Sequence, residues 1–254
     1  MKRFQLFFTV VICIAMIAST SSNAFCADKV KQDIFKQIKK AIKDGKALKP
    51  MKELAIISVW SIDWVTRGAA CPGDIQYAQN IETHRSWTPR ILSNFQPCLV
   101  SGLKSAYSKT GQILKPISYA VENPDYKSFT PTQTEPKKGR GRLLGTLDGL
   151  HFIDDNADDI AAASKSLDVD GVITIRYTLA PSLLPLKKNK IKIWMKIFTK
   201  DGNLVWFGKM YGEFKGAPPK LRDFNSLIKL VPKGEKAAMD NMATLYRKSF
   251  KKAK

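Results

Sequence analysis

The sequence predicts a single α/β (α+β) domain: a mixed sheet of about five strands with helices packed on it, ending in a β-hairpin and a C-terminal helix. Three observations carry this expectation. The run LAIISVWSI, Leu54 to Ile62, is β-rich and almost continuously apolar, the character of a strand covered on both faces. Segments of helical periodicity alternate with such runs along the chain. Asp201-Gly202 sits between two alternating segments, a strong short-range sign of a β-hairpin with a two-residue type I′ turn.

The chain begins with Lys2 and Arg3, an apolar run from Phe4 to about Ala18, and the small, polar stretch Ser19 to Ala24. This is the build of a secretory signal peptide over 1–26, and its apolar run is shorter than the roughly 20 residues a bilayer span needs. A periplasmic or secreted protein is expected. Cleavage after Ser22-Asn23-Ala24 leaves Cys26, Cys71 and Cys98, whereas cleavage after Ala24-Phe25-Cys26 leaves Cys71 and Cys98 alone. An even pair in an oxidising compartment suits a structural disulfide, so Cys71 is expected to pair with Cys98. A lipid anchor at Cys26 is not expected. A lipoprotein box has a small residue just before its cysteine and usually Leu three before, and this chain has Phe25 and Asn23 there.

The net charge of +20 draws such a protein towards anionic surfaces, which in an envelope are lipid headgroups, phosphorylated polysaccharides or acidic wall polymers. The same lysines also serve to keep a secreted domain soluble. Nucleic acid matches the charge but not the compartment, and is not an expected partner.

In chain order, Val30, Ile34, Ile38 and Ile42 form a narrow apolar stripe among lysines, a basic amphipathic helix within 27–50 that either docks on the domain or lies on a membrane surface or partner. The α/β domain then runs over 51–254. After the first strand, the insertion 63–90 holds Trp64, Arg67, Cys71, Tyr77, His84, Arg85 and Trp87 and reads as irregular, with an aromatic satellite core stapled by Cys71 to the next helix. That helix is expected over Gln96 to Lys109, with Pro97 in its first turn. Leu114 to Val121 reads as a second strand, and the proline- and lysine-rich stretch 123–142 as a mobile loop. Asp154, Asp155, Asp158 and Asp159 open a third helix to Leu167, their carboxylates favoured by the helix dipole. A calcium loop is excluded there, because Asp159 and Lys165 occupy the positions that require Gly and Glu. A last helix covers about Glu235 to Lys252.

The hairpin register places Ile191, Ile193, Met195 and Ile197 with Leu204, Trp206 and Met210 on a core face. The other face sets Lys190 across from Glu213, Lys192 from Tyr211, Trp194 from Lys209 and Lys196 from Phe207. Alternating cation and aromatic stabilises cross-strand pairs and also stacks sugars or grips anionic groups. Lys192, Trp194, Lys196, Lys209 and Tyr211 are therefore the candidate binding residues. The bland alternative is a solvated sheet face held by its own cation–aromatic contacts.

Val169-Asp170-Gly171, leading into VITIRYTL, and Asp201-Gly202-Asn203-Leu204-Val205-Trp206 resemble the small α/β envelope domains of the curli-secretion-lipoprotein type. Relatives of that group include outer-membrane activators of penicillin-binding proteins and the N-terminal domain of the Tol-system periplasmic protein. The resemblance implies a non-enzymatic accessory or assembly role and transfers no binding residue. The chain departs from that group in having no evident lipid-attachment cysteine and in its 63–90 insertion.

Catalysis is not expected. His84 and His151 are the only histidines, neither stands in a metal-ligand spacing, and no nucleophile elbow, zinc-protease helix or phosphate loop is present. No cofactor or metal is implied. The expected function is to bind another envelope protein; the alternatives are direct binding of anionic envelope polymers or lipids through the basic–aromatic face and, less favoured, a hydrolase that would pair Asp63 with a histidine.

Overall fold

The apolar run at the head of the domain becomes an inner strand because both of its faces and both of its edges find partners. β1, Glu53–Ile62, is buried at every residue after Glu53. Along one edge it pairs in parallel with β4, Gly171–Ala180. Along the other it meets β2, Ile113–Leu114, in parallel and β3, Leu143–Thr146, antiparallel. β5, Asn189–Thr199, and β6, Leu204–Phe214, extend the sheet antiparallel beyond β4. The result is a mixed six-stranded sheet of order β2-β1-β4-β5-β6 with β3 beside β1. This computed structural model describes residues 48–62, 75–137, 141–180, 189–215 and 223–252. The leader, the basic helix expected within 27–50, residues 63–74 of the insertion and Cys71 lie outside the described residues.

One face of the sheet is closed by two long helices. α1, Ile75–Tyr107, packs against α5, Phe224–Lys252, and both contribute to the main core. The insertion expected to be irregular up to Arg90 is thus helical from Ile75. Pro89 and Pro97 lie inside α1. Pro97 is expected in a first turn, and each proline removes a backbone donor, yet Ile81, Leu92, Phe95, Leu99, Leu103 and Ala106 keep one buried stripe running through both. Burial of that stripe outweighs two lost hydrogen bonds. Pro232 lies inside α5 for the same reason, so α5 starts eleven residues ahead of Glu235, at Phe224. Phe95 on Tyr177, Tyr107 on Tyr246 and Tyr246 on Trp206 knit the helices to the sheet.

The expected second strand is cut short. Only Ile113 and Leu114 pair with β1, and Pro116 then caps α2, Ile117–Glu122. The stretch 123–142 is also more ordered than its composition suggests. α3, Pro124–Ser128, is capped by Asn123, which accepts from the Tyr126 amide at 2.8 Å. The Asp159 carboxylate then accepts from the Thr132 amide and hydroxyl and from the Gln133 amide. Asp159 belongs to α4, Ala157–Leu167, whose N-cap is Asn156. The acidic opening expected for this helix therefore splits: Asp158 and Asp159 lie in its first turn, while Asp154 is buried ahead of it.

The hairpin has the expected register and a different turn. Gly202 donates to the Thr199 carbonyl, Thr199 donates to the Asn203 carbonyl, and Gly202 alone in the turn has positive φ. This is a three-residue loop ending in a left-handed glycine, not a two-residue type I′ turn. The shift it introduces is cancelled by an irregularity between Ile197 and Phe198, which pair with Trp206 and Leu204. Thus Lys192 still faces Tyr211 and Trp194 still faces Lys209.

Candidate functional site

Side chains alternate across a strand, so the face of the sheet opposite α1 and α5 carries Trp60 of β1, Arg176 and Thr178 of β4, the even-numbered residues of β5, and Phe207, Lys209, Tyr211 and Glu213 of β6. The pairing aligns Trp60, Arg176, Trp194 and Lys209 in one row across four strands. The Arg176 guanidinium lies 5.7 Å from the Trp60 ring centre and 4.1 Å from that of Trp194. From the other side Lys209 Nζ lies 5.1 Å from the Trp194 ring. The next row brings Thr178, Lys192 and Tyr211 together, and the last aligns Ala180, Lys190 and Glu213. Lys209 and Lys190 flank the Tyr211 ring at 5.4 and 5.9 Å, and Lys190 reaches Glu213 at 3.3 Å. Each such contact contributes about 0.5–1 kcal/mol where water reaches it and more where it does not.

Four of the five expected binding residues, Lys192, Trp194, Lys209 and Tyr211, occupy adjoining rows of this ladder, but the face is not an open basic surface. Trp194 is only 8% exposed. Lys196 is taken out of the surface by ion pairs with Asp154 at 3.0 Å and Asp155 at 3.4 Å. Its side chain is 12% exposed and that of Asp154 2%. These two carboxylates belong to the loop 147–156, which the sequence could not place over β5. The loop is tied down elsewhere by a hydrogen-bond chain. The irregularity in β1 between Ile56 and Ser58 turns the Ile57 carbonyl towards the Tyr126 hydroxyl, which also accepts from the His151 amide at 3.1 Å. Ser58 Oγ donates to the His151 carbonyl and accepts from the Ile153 amide. Lys196→Met is expected to destabilise the protein by about 3 kcal/mol, because Asp154 keeps its burial and loses a close cation. Chemical denaturation measures this, and a loss within the error of the method would show that the ion pair is dispensable.

Arg176 and Trp60 complete the ladder and were missed as site residues. A signal existed: Arg176 is the one charged residue within VITIRYTL, and Trp60 stands among the aliphatic residues of β1. The outer strip holds Tyr211, 40% exposed, beside the half-buried Lys190, Lys192 and Lys209. Asn241 of α5 donates to the Tyr211 carbonyl at 3.2 Å and fixes the backbone behind the ring.

The two histidines are engaged in packing. His151 bonds the Tyr126 carbonyl through Nε2 at 2.9 Å and packs on Phe129. Burial pushes His84 down to about 4, and its ring packs beside Trp87. Among the described residues no group of three His, Cys, Asp or Glu is placed to hold a metal. Cys98 is half-buried on α1, where burial first and the Glu235 carboxyl second push its thiol up to about 11. Its expected partner, Cys71, is outside the described residues.

No protein family and no curated protein matches the chain. Among solved structures, the LpoB C-terminal domain from Salmonella enterica aligns with 63% of this chain and 81% of its own, at 10% identity and a TM-score of 0.30. A likeness of that size carries no argument about fold, partner or residue roles. Among the described residues no helix is long and apolar enough to cross a membrane.

Proposed function

We propose that this is a non-enzymatic accessory protein of the cell envelope that binds another envelope protein, docking on an acidic surface through Lys190, Lys192, Lys209 and Tyr211. The carrying observation is Tyr211. Among the described residues it is one of two large apolar side chains that stand exposed, and two lysines flank its ring. An amphipathic ring on a rigid strand, ringed by cations, has the chemistry of an interface anchor. The net charge of +20 and the signal-like leader support the compartment and the sign of the partner. The packing roles of His84 and His151 support a role without catalysis.

The double variant Lys209→Glu with Tyr211→Ser is expected to reduce cross-linked capture of the partner at least tenfold, with unchanged circular dichroism. Undiminished capture would remove this strip from the interface. Direct binding of an anionic envelope polymer or lipid is the second reading, favoured by the overall charge. Polymer binding weakens steeply as salt rises, whereas a packed protein interface anchored by Tyr211 largely survives a high-salt wash.

A further inference from the structure

On the same face, two buried donors meet no acceptor among the described residues. Trp194 Nε1 and Thr178 Oγ1 are each inaccessible to solvent and without a hydrogen-bond partner. Trp194 is 8% exposed and Thr178 fully buried. Buried polar groups are nearly always paired, and an orphan pair on neighbouring strands calls for an explanation. Thr178 pairs with Lys192, the residue two before Trp194 on β5, so the two donors are diagonal neighbours on one face. Their Cβ atoms are then roughly 7 Å apart, the spacing of diagonal neighbours on one face.

The chemistry of the surroundings selects the ligand. The Trp194 ring has Arg176 over it from β4 and Lys209 over it from β6, so both flanking strands place a cation on its π-system. A sugar stacked on this indole would have to displace one of them. Only the in-plane N–H remains to recognise anything, and it can only donate. Thr178 supplies a second donor, and the cations Arg176, Lys192 and Lys209 stand on the same face. Donors among cations, with the aromatic face already occupied, fit an oxyanion.

We infer that Trp194 Nε1 and Thr178 Oγ1 form a subsite for a single oxyanion group, a carboxylate or a phosphate. The inference rests on reading this face as the binding surface and names the group it would receive from an acidic partner. It depends on Thr178 and not on Tyr211, so the two readings fail separately.

The test is a titration of the full chain, isotope-labelled, followed at the Trp194 indole N–H, whose resonance is identified by its loss in Trp194→Phe. Sodium phosphate and sodium acetate are compared with sodium chloride at matched ionic strength. The expected result is a saturable shift with phosphate, acetate or both, absent with chloride; the tighter of the two identifies the group. Thr178→Val should weaken the apparent affinity at least tenfold while melting at the same or a higher temperature in chloride, because it removes an unpaired buried hydroxyl. Thr178→Ser, which keeps the hydroxyl, should bind like the parent. A shift common to all three salts, no shift at all, or undiminished binding by Thr178→Val would overturn the subsite. Undiminished partner capture by Thr178→Val alongside lost capture by Lys209→Glu with Tyr211→Ser would leave the docking strip standing without it.

Discussion

Glu235→Gln is expected to stabilise the protein by about 3 kcal/mol above pH 7 and to change little at pH 4. Glu235 lies on α5 under the sheet, 1% exposed, and its carboxylate accepts from the Tyr177 hydroxyl at 3.0 Å. Burial pushes its carboxyl up from 4.5 to about 7, and the Tyr177 hydrogen bond offsets only part of that. Cys98 of α1 lies close enough to feel the Glu235 carboxyl, with Lys236 and Asp240 near it on α5. The folded state holds this proton more tightly than the unfolded chain. The stability that results is fully present below about pH 4.5, is lost as pH rises towards 7, and is flat beyond. Glutamine keeps an acceptor for Tyr177 and cannot ionise, so the variant loses this slope. Urea denaturation at pH 4, 5.5, 7 and 8.5 measures the effect. Parallel pH profiles for the two proteins would show that Glu235 is charged without penalty in the fold.

Gly212→Ala should cost at least about 3 kcal/mol and lower the melting temperature by roughly 8 °C. The reason is space and not conformation, since Gly212 has no positive φ. A Cβ on Gly212 of β6 would lie 1.7 Å from the Gly234 carbonyl oxygen and 2.7 Å from the Ala238 amide nitrogen of α5. Both obstacles are backbone, so the helix would have to lift from the strand and uncover Ala238 and Met242. Gly234→Ala is the matched control. Its Cβ would meet the Ile191 and Phe214 side chains at 3.1 Å, which can yield, and alanine favours the helix by about 1 kcal/mol. Its stability should stay within about 1 kcal/mol of the parent. Equal losses from the two variants would show that the close approach of β6 and α5 is not the deciding contact.

These two sites lie on the face of the sheet that was legible in advance. The core side of the hairpin follows from strict alternation, and Ile191, Ile193, Met195 and Ile197 are all fully buried. Register survived a wrong turn type because one irregularity near Phe198 cancels the longer loop. Pro97 misled, since it reads as a first-turn residue and lies inside α1, where a buried stripe runs through it. The candidate site was half legible for a related reason. Cross-strand pairs between β5 and β6 depend on separations short in sequence, whereas Arg176 and Trp60 enter the ladder through pairings of β4 with β5 and β1.

The sequence by itself determined the α/β class, the hairpin register, the alternation of cation and aromatic on its outer face, and the strong positive charge. Those properties are local or compositional, and periodicity reports them directly. Tertiary structure decided that Lys196 is withdrawn from the cations of that face. Asp154 and Asp155 meet Lys196 across more than forty residues of chain, and Glu235 meets Tyr177 across 58. No spacing rule reaches such pairs, because their energies arise from the burial that brings them together.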